Sequence, residues 1–132
     1  MPQNLAQLAL VVADYDEAIE FYTQKLGFQL IEDSAMSETK RWVRIVPPGS
    51  KGCQLLLAKA TTDEQRSRVG NQTGGRVFLF LHTDDFERDY ANLISQNIKI
   101  IRPRSQEEFG TVCVFEDLYG NLWDLIQPNE RT

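Results

Sequence analysis

A chain of 132 residues, 42% apolar and 25% charged, is sized and composed for one ordinary globular domain. Its net charge of -5 leaves no basic stripe to neutralise phosphates, which argues against a nucleic-acid partner. No apolar run is long enough to cross a bilayer, MPQNLAQLALVV lacks the marks of a signal peptide, and Cys53 and Cys113 belong to no CxxC pattern, so a cytoplasmic protein with two reduced core thiols and no membrane partner is expected.

The first apolar run, LAQLALVV (5–12), reads as a buried strand. In DYDEAIEFYTQKLGF the spacing of Tyr15, Ile19, Tyr22 and Leu26 predicts a helix that stops at Gly27. FQLIEDS, RWVRIV and GCQLLLAKA read as three strands separated by a polar ETK turn and by PPGSKG. ATTDEQRSRVGNQTGG has the composition of a connector, with room for one short helix at DEQRSRV. The order then begins again. GRVFLFLHT is a strand, DDFERDYANLISQN a helix carrying Phe86, Tyr90, Leu93 and Ile94, and KIIRP, GTVCVFE and NLWDLIQ are strands, with PRSQEEFG between the first two as a mobile-looking loop.

The chain is therefore βαβββ written twice, an α+β organisation with one module over about 5–59, a connector over about 60–75 and a second module over about 76–128, all within one domain. An offset of 71 residues superposes Asp14 on Asp85, Tyr15 on Phe86, Ile19 on Tyr90 and Tyr22 on Leu93. A small sheet with one helix has a covered face and a bare one, and two such modules are expected to curl their bare faces around a shared cleft.

Strand alternation says which residues are bare-faced. With the more aliphatic side against the helix, Gln7, Ala9 and Val11 of the first strand face the cleft, as do Trp42 and Arg44, Gln54 and Leu56, Phe78, Phe80 and His82, and Leu122, Asp124 and Ile126. An aromatic and aliphatic lining with a few polar groups suits a small-molecule site.

LALVVADYDEAIEFYTQKLGF, GGRVFLFLHTDDFERDYANL and VFEDLYGNLWDLIQP, in this βαβββ order, resemble the vicinal oxygen chelate superfamily of glyoxalase I, bleomycin- and fosfomycin-resistance proteins and extradiol dioxygenases. The resemblance covers nearly the whole chain and implies that family's fold. Metal-dependent members carry four ligands, commonly His, Glu, His and Glu, on the first and fourth strands of each module. Carried over, these positions fall on Gln7 and Phe78, and on Gln54 and Asp124. Phe78 cannot coordinate, and one carboxylate with two amides offers a divalent ion little charge compensation, so no tightly bound metal or other cofactor is expected.

Each singled-out residue also has a plain structural reading. Asp124 fits an ion pair with Arg44; His82, the sole histidine, fits a strand end satisfied by Thr83 or Asp84; Asp14, Asp16, Asp84 and Asp85 fit helix caps; Glu107 and Glu108 fit a solvated loop. Three functions fit the whole. One is a metal-dependent lyase, isomerase or dioxygenase of the glyoxalase type. Another is a metal-free enzyme with Asp124 or Glu116 as general base and Arg44 holding an enolate-like oxygen. The reading adopted is a binding module for a small, partly aromatic or anionic molecule, stacked on Trp42, Phe78 and Phe80, with Arg44 and Asp124 as charged anchors and Gln7, Gln54 and His82 nearby. A homodimer is expected, since related two-module chains usually pair and open sheet edges are a liability.

Overall fold

A computed structural model describes residues 2–129, which fall into two compact units divided between Val69 and Gly70. Strand β1 (Gln7–Val12) leads into α1 (Tyr15–Glu20), which continues through a wider turn over Phe21–Lys25, and β2 (Gln29–Ala35), β3 (Arg41–Val46) and β4 (Gln54–Lys59) follow. Helix α2 (Asp63–Arg68) connects to β5 (Leu79–His82), α3 (Phe86–Ser95), β6 (Ile100–Glu107), β7 (Gly110–Glu116) and β8 (Leu122–Pro128). The sheets have matching orders, β1-β4-β3-β2 and β5-β8-β7-β6, each with one parallel pair. The doubled βαβββ pattern is thus present. Among the described residues, no helix is long and apolar enough to cross a membrane.

The helices start where the sequence puts Asp. Asp14 accepts from the Glu17 amide at 2.9 Å and Asp85 from the Arg88 amide at 3.1 Å, so the 71-residue offset joins two equivalent N-caps. Asp16 and Asp84, expected as caps, instead pair with Arg41 and Arg88, because the cap position itself is taken by Asp14 and Asp85: Asp16 lies two residues past its cap and Asp84 one residue before its own. Gly27 ends the first helical segment at φ +75°, a conformation that costs a Cβ-bearing residue but not glycine.

Alternation then sorts the strands. Leu10, Val12, Val43, Ile45, Leu55 and Leu57 are buried with Tyr15, Ala18 and Tyr22 of the helical segment. In the second unit Phe86 and Leu93 join Cys113, Phe115, Trp123 and Leu125, and the Phe115 and Trp123 rings stack with centroids 5.9 Å apart. The entries of α1 and α3 also each carry a guanidinium over an aromatic ring. Arg41 lies 5.1 Å from the Tyr15 ring and pairs with Asp16 and Asp33; Arg104 lies 5.2 Å from Phe86, 5.6 Å from Tyr90, and forms a fork with Glu87.

Three expectations are corrected. PRSQEEFG is no loop: β6 runs to Glu107 and pairs it with Gly110, because an edge strand tolerates Pro103 and needs no apolar face on its open side. Cys53 is exposed, since it precedes β4 in the turn after Gly52, whereas Cys113 is buried in β7. Ile94 is 57% exposed at the outer edge of the apolar face of α3.

Candidate functional site

Pairing register builds the open face of the first unit row by row. Gln7 lies opposite Gln54, Ala9 opposite Leu56, Leu56 opposite Arg44, and Arg44 opposite Glu32; Trp42 lies opposite Ser34. Gln7, Trp42, Arg44 and Gln54 are thus brought onto one face. Arg44 is engaged there: it donates to Glu32 at 2.9 Å and to the side-chain oxygen of Gln54, while the Ser34 hydroxyl donates to Glu32 at 2.9 Å. Those bonds, Ser34's first, hold the Glu32 carboxyl below its usual pKa. Farther along the same sheet a concavity of about 540 Å³ is lined by Val11, Trp42, Leu56 and Ala58, with Lys40 and Lys59 at its margin.

In the second unit the corresponding row reads Phe80, Asp124, Val114, Arg102. Asp124 lines a concavity of about 370 Å³ with Arg102, Ser105, Phe109 and Val114. Burial raises its carboxyl pKa, and the Arg102 charge pulls the other way. One strand separates the two residues, roughly 10 Å between backbones, so they influence each other without bonding. The Cys113 thiol is pushed up to about 12 by burial and by the nearby Asp124 charge. Phe80 is 62% exposed on this face, His82 lies opposite Ile126 at the strand end, and the Phe78 amide donates to the Leu122 carbonyl at 2.8 Å. Thr83 and Asp84, expected as partners of His82, bond Asp89 and Arg88. Glu116, at the end of β7, lies 4.0 Å from Lys99.

The two rows show how the repeat has diverged. Register makes Leu56 the counterpart of Asp124, and Leu122 the counterpart of Gln54, so Gln54 and Asp124 do not hold equivalent places. The residues do not fit a divalent metal. Phe78, Leu56 and Leu122 have no donor atom, and the Gln54 carbonyl oxygen is taken by a guanidinium that would repel a cation. Among the described residues, no cluster of three or more His, Cys, Asp or Glu could hold a metal ion.

Sequence reasoning missed Arg102 and the buried pair of Asp117 and Asn121. Asp117 is 4% exposed and accepts from the Tyr119 amide, the Asn121 amide and the Asn121 side chain, all at 2.9 Å. This knot closes the β7 to β8 turn that delivers Asp124. The stretch DLYGN carried its signal: an Asp ahead of a Gly-Asn turn commonly bonds the turn's own amides.

The chain matches the family described as Glyoxalase/Bleomycin resistance protein/Dioxygenase superfamily over residues 4–125. It is 58% identical over 132 residues to an uncharacterized protein of Shewanella frigidimarina, covering 99% of this chain and 98% of that one. The solved structure of UcmS2 matches with a TM-score of 0.83 and 26% identity, over 96% of this chain and 98% of that one. That of TnmS3, an antibiotic binding protein from Streptomyces sp. CB03234, matches with a TM-score of 0.75 and 24% identity, over 98% of both chains.

Proposed function

For this chain, which belongs to the glyoxalase/bleomycin resistance/dioxygenase superfamily, we propose a binding protein for a small, partly aromatic molecule that works without a tightly held metal. The observation that carries this reading is the chemistry at the positions a metal would use: Phe78 has no donor, Gln54 is committed to Arg44, and Asp124 shares its concavity with the Arg102 cation, which opposes a second positive charge there. What such faces offer is stacking area and a few hydrogen bonds, supplied by Trp42 in one unit and by Phe80 and Asp124 in the other. The fold is one that an antibiotic binding protein also uses, which supports the reading at the level of architecture. Arg44 is a weaker anion anchor than its sequence position implied, because Glu32 already neutralises it.

Asp124 also supports a second reading, a metal-free enzyme in which it accepts a proton. Burial without a bonded cation makes it a better base than an ordinary surface carboxylate. Glu116 suits that role less, having Lys99 beside it.

The test joins elemental analysis of the purified protein to affinity selection from a mixed small-molecule library. The expected result is substoichiometric transition metal, a melting temperature unmoved by chelator, and retained aromatic compounds. Near-stoichiometric metal that is lost in Asp124→Asn would overturn the proposal.

A further inference from the structure

The concavity of the first unit lies where β1 and β4 end and β3 begins. Val11 pairs with Ala58 there, four residues along β1 from Gln7, which at about 3.3 Å per residue is roughly 13 Å from the row of Gln7 and Gln54. It extends from Leu56, which it shares with the face described above, away from the row of Gln7 and Gln54. Its floor is apolar and includes the open-face side chain of Trp42; the β2 to β3 turn and α2 form its walls.

Most polar groups on those walls are already committed. Arg41 is held by Asp16 and Asp33, the Gln65 carbonyl accepts from the Thr61 amide and hydroxyl, and the Ser37 hydroxyl accepts from the amides of Thr39 and Lys40. Lys40 and Lys59 are different. Among the described residues, neither ammonium at this concavity is in an ion pair with a carboxylate. In a chain of net charge -5, an apolar hollow with two ammoniums outside any ion pair is a place where an anionic group can be met by positive charge.

We infer that this concavity binds a flat aromatic molecule carrying an anionic group, its ring against Trp42 and its anion drawn to Lys40 and Lys59. The inference rests on the small-molecule reading above and adds the place and the ligand class. A volume of about 540 Å³ accommodates a two- or three-ring acid. The ring supplies apolar contact, and the ammoniums, being near the surface, supply selection more than affinity.

The experiment titrates the protein with 2-naphthoate, neutral 2-naphthamide and cationic 2-naphthylmethylammonium, following quenching of tryptophan emission. Trp123 is 3% exposed in the core, so the signal from this site belongs to Trp42, and Trp42→Phe should remove the quenching while calorimetry still detects binding. Naphthoate should bind about tenfold more tightly than the amide, a preference that Lys40→Glu with Lys59→Glu abolishes and Lys51→Glu leaves intact. Equal binding of all three probes, or a preference that survives the double charge reversal, overturns the inference and leaves the small-molecule reading standing. No binding of any probe, together with an empty library selection, removes both.

Discussion

Changing Gly70 to alanine should destabilise the protein far more than the same change at Gly49, although both glycines have nearly the same backbone. Gly70 has φ +76° and Gly49 φ +72°, so each alanine bears the strain of a left-handed conformation, about 1–2 kcal/mol. At Gly49 a methyl group meets nothing within 4 Å; at Gly70 it would sit 1.8 Å from the Tyr119 carbonyl oxygen and 2.7 Å from its carbon. A backbone carbonyl cannot rotate away as a side chain does, and it belongs to the turn held by Asp117 and Asn121. Forcing it aside adds about 1–3 kcal/mol, as overpacking does, for about 2–5 kcal/mol in all. At about 4 °C per kcal/mol for a domain of this size, Gly70→Ala should lower the melting temperature by about 8–20 °C and Gly49→Ala by about 4–8 °C. Thermal melts followed by circular dichroism read both. A Gly70→Ala variant no less stable than Gly49→Ala would refute the contact argument.

Asp124→Asn should raise stability at neutral pH. Burial lifts the folded carboxyl's pKa above its unfolded value, so the ionised group costs stability above the unfolded range, and the cost fades as pH falls through the folded pKa; urea midpoints should therefore differ at pH 7 and converge in acid, and a variant weaker than the parent at pH 7 would contradict this. Ellman's reagent should titrate one thiol in the native protein, exposed Cys53, and a second only on unfolding, because Cys113 is buried and its thiolate disfavoured; two fast thiols would refute it. We also propose that the chain is a homodimer, with edge strands such as β2 and β6 in need of cover, and light scattering that finds only a species of about 15 kDa at micromolar concentration would exclude it.

The elements were legible because hydrophobic period alone separates strands from helices here. RWVRIV alternates cleanly, and Phe86, Tyr90 and Leu93 keep helical spacing. Strand faces followed from the same alternation, which is why Gln7, Arg44 and Gln54 could be put together before any coordinates. Partners across strands were not legible. The tie between Arg44 and Glu32 and the proximity of Arg102 to Asp124 depend on register, and β-bulges shift it between Leu30 and Glu32 and on both sides of Arg102. Pro103 hid the length of β6, because proline argues against a strand unless the strand is known to lie at an edge. The concavity beside Trp42 needs α2 and the β2 to β3 turn in place, and neither position is written in local sequence.

The guanidiniums over the two helix entries have a consequence for how this molecule can be compared with itself and its relatives. Arg41 comes from β3, whereas Arg104 comes from β6, and the residue that takes Arg41's place in the second unit is Thr111. Aligning the halves strand by strand therefore sets an arginine against a threonine and reports a lost interaction, although both rings keep their cation and both cations keep a carboxylate one residue past the ring. What the two copies share is a charge at a point in space, held by whichever neighbouring strand can reach it. A search for the same feature in other members should look for a guanidinium within about 6 Å of the first helical ring, and not for an arginine in a fixed alignment column.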